Sequence, residues 1–512
     1  MRHLPRLAFG LFLLFAAGHA LAQVVPGYGY TPMPDWGVGG FDGFGLDQFA
    51  SGATSINRAR AAARLSTGDV VVVGDIQVPG TARSLGIVKF NGTGERVLFA
   101  DASATYGHYN KEYLRFPGLD TGWSTTPIAR QVYDVHDVKA YQGSFYVLLT
   151  YREEGRYRAA ILRWTETGQY LGWWFVAPDE ALVRPALAMD IKGGHIVVLG
   201  GRSLGLDSPT GGYWVVRMTI NPDGTPAATT VATFNADERV VPADIAFERS
   251  SLVSLPGVPA YYVAYTGQSN NSPASWPCIR KVRPNNTTDT GFGINGVLCN
   301  MWGSNDTNQY HDAAVALHTH AQSINTGTAL ETREVMHLSV ALHKQRANGI
   351  GLVRFVGGQP DTGWGSTIGA LQFGGCAGGA ESGCSTHPNL GDTAHIPLPG
   401  ALYADATGVY VGGHTHTPIL FGNPQPPPQR RPIFMHVDGP TGQLRSLQGY
   451  IPGSNARFTA LVPGDLVGGR REFVVAGFTH YQNTQALDDG PTQFVTARLR
   501  PKGDLFSDGF EN

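Results

Sequence analysis

The chain is written in short alternating apolar and polar runs, and these recur in sets. One run in each set alternates with period two and ends in a polar Gly or Asn turn: 85–94, 160–168, 213–224, 278–286, 350–358, 432–442 and 494–503. Period two is the signature of a half-buried strand. A basic residue precedes most of these turns, namely Lys89, Arg163, Arg217, Lys281, Arg354 and Arg498, with His436 in the sixth set. Before each lies a more continuous apolar run: 70–75, 145–150, 196–201, 260–267, 335–342, 409–415 and 473–479. Such runs, bounded by Gly, suit central strands buried on both faces. A third, Ala-rich run comes before that: 58–65, 137–142, 185–191, 243–248, 312–318, 400–405 and 458–462. Small residues there fit strands crowded around a narrow axis.

A fixed-period repeat of strand sets predicts radial repetition. The expectation is an all-β chain folded as a seven-bladed β-propeller, six or eight blades being the alternatives, with the Ala-rich strands innermost. A fourth element follows some sets: Asp120-Thr-Gly-Trp, Asp289-Thr-Gly-Phe-Gly and Asp361-Thr-Gly-Trp-Gly, with a related Asp42-Gly-Phe-Gly near the start. The last set has three strands and stops. Pairing of residues 42–50 with 494–500 therefore completes one blade from both ends and removes open sheet edges.

The unit of apolar strand, strand with a basic residue, turn and D-T-x-F-G resembles the delta-60 repeat of bacterial secreted and surface proteins. That resemblance implies propeller blades and an extracellular setting. The ending Phe506-Ser-Asp-Gly-Phe-Glu resembles the tails of secreted proteins of xanthomonad-type bacteria.

The start of the chain agrees with export. Arg2 and Arg6 precede a short apolar run, and Ala20-Leu-Ala22 has the small-x-small pattern of a cleavage site. The predicted organisation is a signal peptide at 1–22, one propeller domain at 23–504 and a tail at 505–512. The apolar run is too short to span a bilayer as a helix, and no later run is longer. A secreted or outer-surface monomer is expected.

Charged residues are only 15% of the chain and the net charge is −2. Lys and Arg form no stripe, which argues against nucleic acid as a partner. Four cysteines in an oxidising setting suggest bridges; the pairing of neighbours, Cys278 with Cys299 and Cys376 with Cys384, is expected.

The chemistry motifs are sparse. No P-loop, G-x-S-x-G elbow, H-E-x-x-H or EF-hand pattern occurs, so no catalytic residue and no cofactor is assigned. His318-Thr-His320 and His414-Thr-His416 each put two imidazoles on one strand face. A metal needs a third ligand, so both pairs read as solvated loop histidines. Trp173, Trp174, Trp276, Trp302 and Trp364 read as wedges between blades, with sugar stacking as the other use. Aligning the starts of the Ala-rich strands gathers Arg58, His136, Asp137, Arg184, Asp244, His311, Asp312 and Arg457 at one mouth of the channel. Such a ring holds blades in register or binds a polar ligand.

The main reading is a non-enzymatic extracellular binding scaffold for a glycan or protein. One alternative is a polysaccharide-cleaving enzyme using Asp137, Asp244 and Asp312. Another is a surface structural or adhesion module.

Overall fold

The computed structural model describes residues 29–34, 36, 44–47, 56–77, 83–101, 113–116, 131–153, 156–176, 186–201, 212–234, 239–250, 259–268, 275–299, 312–325, 329–343, 347–365, 370–376, 396–416, 430–450, 454–480 and 492–502. The expected signal peptide and tail lie outside them, as does the proposed partner of Cys376. Among the described residues every regular element is a strand, and the strands form seven antiparallel sheets. In six sheets the strands follow chain order from the axis outward, and in the seventh the outermost strands come from the start of the chain, so the fold is a seven-bladed propeller. The inner strands are Ile56–Arg64, Gln131–Tyr141, Ala186–Lys192, Arg239–Phe247, Ala313–Asn325, Ile396–Ala404 and Ser454–Val467, numbered here as blades 1 to 7. They are the Ala-rich runs of the sequence.

The core lies between blades. There are seven hydrophobic clusters among the described residues, and each straddles two consecutive blades. In the second strand of blade 1, Val71 and Val73 pack against blade 2, whereas Val70 and Val72 pack against blade 7. This is why the second strands are apolar at consecutive positions: both faces are interior.

Blade 7 closes the ring. Its third strand, Thr492–Pro501, pairs with Tyr30–Pro32 and, further along, with Phe44–Asp47. The expected terminal pairing is therefore present. Asp42 lies outside the described residues, and the turn of the D-T-x-F motif recurs earlier, at Met33 and Trp36. Met33 N–H donates to the Arg498 carbonyl, and Trp36 N–H donates to the Met33 carbonyl. The two clear motifs do the same: Asp361 N–H to Arg354 O, then Trp364 N–H to Asp361 O, and Asp289 N–H to Lys281 O, then Phe292 N–H to Asp289 O. Residues 33–36 are thus the degenerate copy, with Met33 in the place of the aspartate. In each case the aromatic turns inward and wedges between its own blade and the next: Phe292 between 4 and 5, Trp364 between 5 and 6, Trp36 between 7 and 1. Trp173, Trp174 and Trp276 also pack on inter-blade clusters, half-buried.

In four blades the basic residue before the turn has the same task. Lys89 Nζ donates to Glu166 O at 3.2 Å, Arg163 Nη1 to Asp223 O at 2.7 Å, and Arg354 Nη1 to Gly439 O at 2.8 Å. Arg498 Nη1 reaches Gly92 O across the seam. Each latches onto the turn after the third strand of the following blade. In blade 4, Cys278 and Cys299 face each other across adjacent strands and form the expected disulfide, Cα–Cα 4.2 Å.

Every inner strand carries a β-bulge at the same level: between Ala59 and Ala61, Val135 and Asp137, Ala186 and Ala188, Pro242 and Asp244, Ala314 and Ala316, Pro399 and Ala401, and Phe458 and Ala460. The extra residue bends the strand and raises its twist. It also pushes a carbonyl toward the neighbouring strand. A Cβ on Gly74 would lie 1.9 Å from Arg58 O, and one on Gly477 1.8 Å from Arg457 O. Glycine opposite the bulge is therefore a steric requirement in these blades.

Two outcomes follow. Gly477→Ala destabilises by about 2–4 kcal/mol, while Gly92→Ala, where a Cβ meets nothing within 4 Å, stays within about 0.5 kcal/mol in denaturant unfolding. Trp36→Ala costs about 3–5 kcal/mol because it opens a cavity at the seam; a residue of an unpacked leader would leave the unfolding midpoint unchanged.

Candidate functional site

The seven bulged strands enclose an axial cavity of about 560 Å³, to which every blade contributes. Its lining is lopsided. Blades 2 to 5 supply His136, Asp137, Lys139, Asp190, Asp244, Arg249, His318 and His320; blades 6, 7 and 1 add the charged Arg60 and Asp405 but otherwise mostly small apolar groups such as Gly400, Ala401, Ala460, Ala61 and Ala62.

The bulge gives the true alignment of the inner strands. Asp137 and Asp244 share one level, just after the bulge, with Ala61, Ala188, Ala316, Ala401 and Ala460. Arg58 and Arg457 lie three positions earlier than that level, and Asp312 four positions earlier. The expected ring at one level therefore does not form. His136, Asp137 and Asp244 reach the cavity, whereas Arg58, Asp312 and Arg457 are not part of its lining. Arg58 and Arg457 meet instead at the seam, both over the Phe478 ring, at 5.7 and 4.3 Å from its centroid. Arg184 and His311 lie outside the described residues. The misalignment has a simple origin: the polar residues near the strand starts stand at different distances from the shared bulge, Arg58 and Arg457 three positions and Asp312 four before the level that Asp137 and Asp244 hold.

The carboxylates are clasps. Asp137 accepts the Val138 N–H on Oδ1 at 2.8 Å and the Met189 N–H of blade 3 on Oδ2 at 3.2 Å. Asp190 accepts Ile191 N–H at 2.8 Å and Phe247 N–H of blade 4 at 2.7 Å. Asp244 accepts Ile245 N–H at 2.8 Å and Leu317 N–H of blade 5 at 2.7 Å. One oxygen takes the carboxylate's own next amide and the other takes an amide of the following blade. Asp75, from the second strand of blade 1, similarly accepts Val135 N–H of blade 2 at 3.2 Å. Asp75 and Asp190 are clasp residues that sequence reasoning missed. A lone carboxylate within an apolar alternating run was the available signal, because a buried charge needs a partner.

Cations balance most of these groups. Lys139 lies 3.1 Å from Asp137, Arg249 pairs with Asp190 at 2.5 Å, and Arg60 pairs with Asp75 at 2.7 Å. Burial works against the Lys139 charge, yet Asp137, Asp190 and Asp244 together hold its pKa above the usual value. Burial raises Asp137 against the pull of Lys139. Burial also lifts Asp244 to about 7, against its two amide donors and Lys139. His136 is driven down to about 4 by burial, with Asp75 opposing; its Nε2 lies 2.8 Å from Thr150 Oγ1. His318 and His320 are likewise lowered by burial, to about 3 and about 4. They sit in an inner strand against the cavity, so the reading of this pair as solvated loop histidines is corrected. The second pair occupies a second strand, with His414 opposite Leu398 on one side and Pro432 on the other.

No family model matches the chain, and no curated protein matches its sequence. Among solved structures, a protein of unknown function from Dyadobacter fermentans is similar at 11% identity and TM-score 0.40, over 93% of this chain and 100% of that one. A neuraminidase-like protein from A/bat/Guatemala/164/2009 follows at 9% identity and TM-score 0.35, covering 71% and 87%. An apocarotenoid oxygenase mutant from Synechocystis has 13% identity and TM-score 0.33, covering 65% and 68%. At these values none bears on chemistry. No helix among the described residues is long and apolar enough to cross a membrane.

The neutral buried imidazoles set a pH dependence. A histidine whose folded pKa is depressed contributes stability above its unfolded pKa of about 6.5, and that contribution is lost as pH falls through the folded value. For His136 the window is pH 6.5 down to about 4, worth about 3 kcal/mol. His136→Gln keeps a partner for Thr150 and removes this contribution, so the acid loss of stability in urea unfolding becomes shallower by that amount. An unchanged slope between pH 6.5 and 4 would show His136 to be solvated.

Proposed function

We propose that the chain is a secreted, non-enzymatic propeller that serves as an extracellular binding scaffold. The observation that carries this reading is the use of the cavity carboxylates. Asp137, Asp190 and Asp244 each have both oxygens engaged by backbone amides, one of them in the next blade. A general acid or nucleophile must turn an oxygen toward substrate. These carboxylates are turned along the ring. Extracellular placement is supported by the charged start, apolar run and small-x-small site of residues 1–22 and by the Cys278–Cys299 bridge. The resemblance to the delta-60 repeat favours the same setting.

Asp244, lifted to about 7 by burial, is the feature an enzyme reading would use, since a neutral carboxylic acid at that pH can donate a proton. A clasp role and a catalytic role differ in outcome. Residues 23–512 are incubated with a panel of neutral and acidic polysaccharides, following both retention of the protein by immobilised polymer and release of reducing ends. Retention without release is expected. Asp244→Asn places an amide N–H₂ against a backbone donor, so it lowers stability by about 1–3 kcal/mol and leaves retention intact. Release of reducing ends that disappears in Asp244→Asn while the melting temperature holds would overturn the scaffold reading.

A further inference from the structure

One group of titratable side chains is used by neither the clasps nor the latches. It lies on the inner hairpin of blade 5. His318 and His320, two residues apart, share one face of the inner strand. On the adjacent second strand, Leu330–His343, His337 stands directly opposite His318. Directly opposed residues of an antiparallel pair also share a face. Three imidazoles therefore occupy one face of a two-strand ladder, and the third ligand that the sequence pair lacked comes from the neighbouring strand.

Their surroundings leave them unmatched. His337 is 1% exposed, and neither of its ring nitrogens has a hydrogen-bond partner; Nδ1 of His318 has none either. Buried polar atoms are nearly always paired, so each orphan calls for an explanation. Position sharpens the point. His318 lies two residues after the bulge, the level that Asp190 holds in blade 3. There a carboxylate clasps the next blade with both oxygens filled. Facing blade 6, the same level presents imidazoles with open nitrogens.

We propose that His318, His320 and His337 bind a divalent late transition-metal ion of the zinc type, entering from the axial cavity. Three imidazoles, an i, i+2 pair and a cross-strand third, leave a fourth coordination position open toward that cavity. Imidazole donors suit zinc, copper or nickel, and not magnesium or calcium. The second layer is in place: Tyr403 lies 4.8 Å from the His318 ring, Trp364 is edge-on to His337 at 5.5 Å, and Gln322 lies beside His320.

In the present rotamers the rings do not converge, and no three ligating groups among the described residues meet at one point. The His318 and His320 centroids are 6.3 Å apart, and His320 and His337 lie parallel at 5.6 Å. Zinc–nitrogen bonds of about 2.0–2.1 Å bring tetrahedral imidazole centroids to roughly 5 Å. For these two pairs closure by roughly 1 Å is needed, through side-chain rotation into the cavity that His318 and His320 line. The backbone register requires no change.

The test uses residues 23–512, stripped with a chelator, titrated with Zn²⁺ by calorimetry and with Co²⁺ by visible absorption. One ion per chain is expected, with a dissociation constant of about 1 μM or lower and the intense Co²⁺ bands of a tetrahedral site. His337→Ala weakens binding by at least about 100-fold, and His195→Ala does not. Should His337→Ala unfold, His320→Gln keeps a polar group at a less buried position and gives the same loss. Binding weaker than about 100 μM, more than one ion per chain, or affinity unchanged in both His337→Ala and His320→Gln overturns the proposal.

Discussion

No blade owns its core. Each apolar cluster is divided between two neighbours, so every sheet buries one face against the blade before it and one against the blade after. The hydrophobic stabilisation is therefore a property of the closed ring. A missing blade, or an open seam, uncovers two faces at once. The repeated features described above serve that one constraint. Aromatic plugs fill gaps between adjacent sheets, latches in four blades tie the third strand to the next blade's turn, and carboxylates near the axis tie inner strands together.

The axial clasps show how charge is accommodated where little water reaches. A carboxylate that accepts two amide protons keeps its lone pairs engaged without needing an ion pair of ideal geometry. Asp244 depends on this most, because its nearest cation, Lys139, also serves Asp137 and Asp190. The polar side of the cavity thus follows blades 2 to 4, whose inner strands carry the clasps Asp137, Asp190 and Asp244, and blade 5, which presents His318 and His320; blades 6, 7 and 1 contribute mostly small residues, with Arg60 and Asp405 among them.

Much of the architecture was legible in the residues. Seven strand sets, the order within each set, ring closure through the residues around Asp42 and the Cys278–Cys299 pair all follow from period-two patterning and spacing, and the structure contains them. The candidate site was less legible for two physical reasons. Polar residues near the strand starts stand at different distances from the shared bulge, so Arg58, Asp137 and Asp312 seemed level when they are three or four residues out of step. Cross-strand neighbours are set by register, so nothing local to His318 and His320 announced His337. The plug at Trp36 was hidden by Met33, because the backbone bond that defines the turn needs only an N–H and a carbonyl there, and any residue except proline supplies both.

The outer strands of the last blade, Tyr30–Pro32 and Phe44–Asp47, have their partner, Thr492–Pro501, some 450 residues further along the chain. During synthesis the earliest structured segment must wait, unpaired, until nearly everything else has emerged. Blades 1 to 6 can collapse in order against one another, but the contact that seals them has the greatest sequence separation in the fold. Completion is therefore a final, slow event of high contact order. A molecule truncated just before Thr492 would keep blades 1 to 6 and lose its lock.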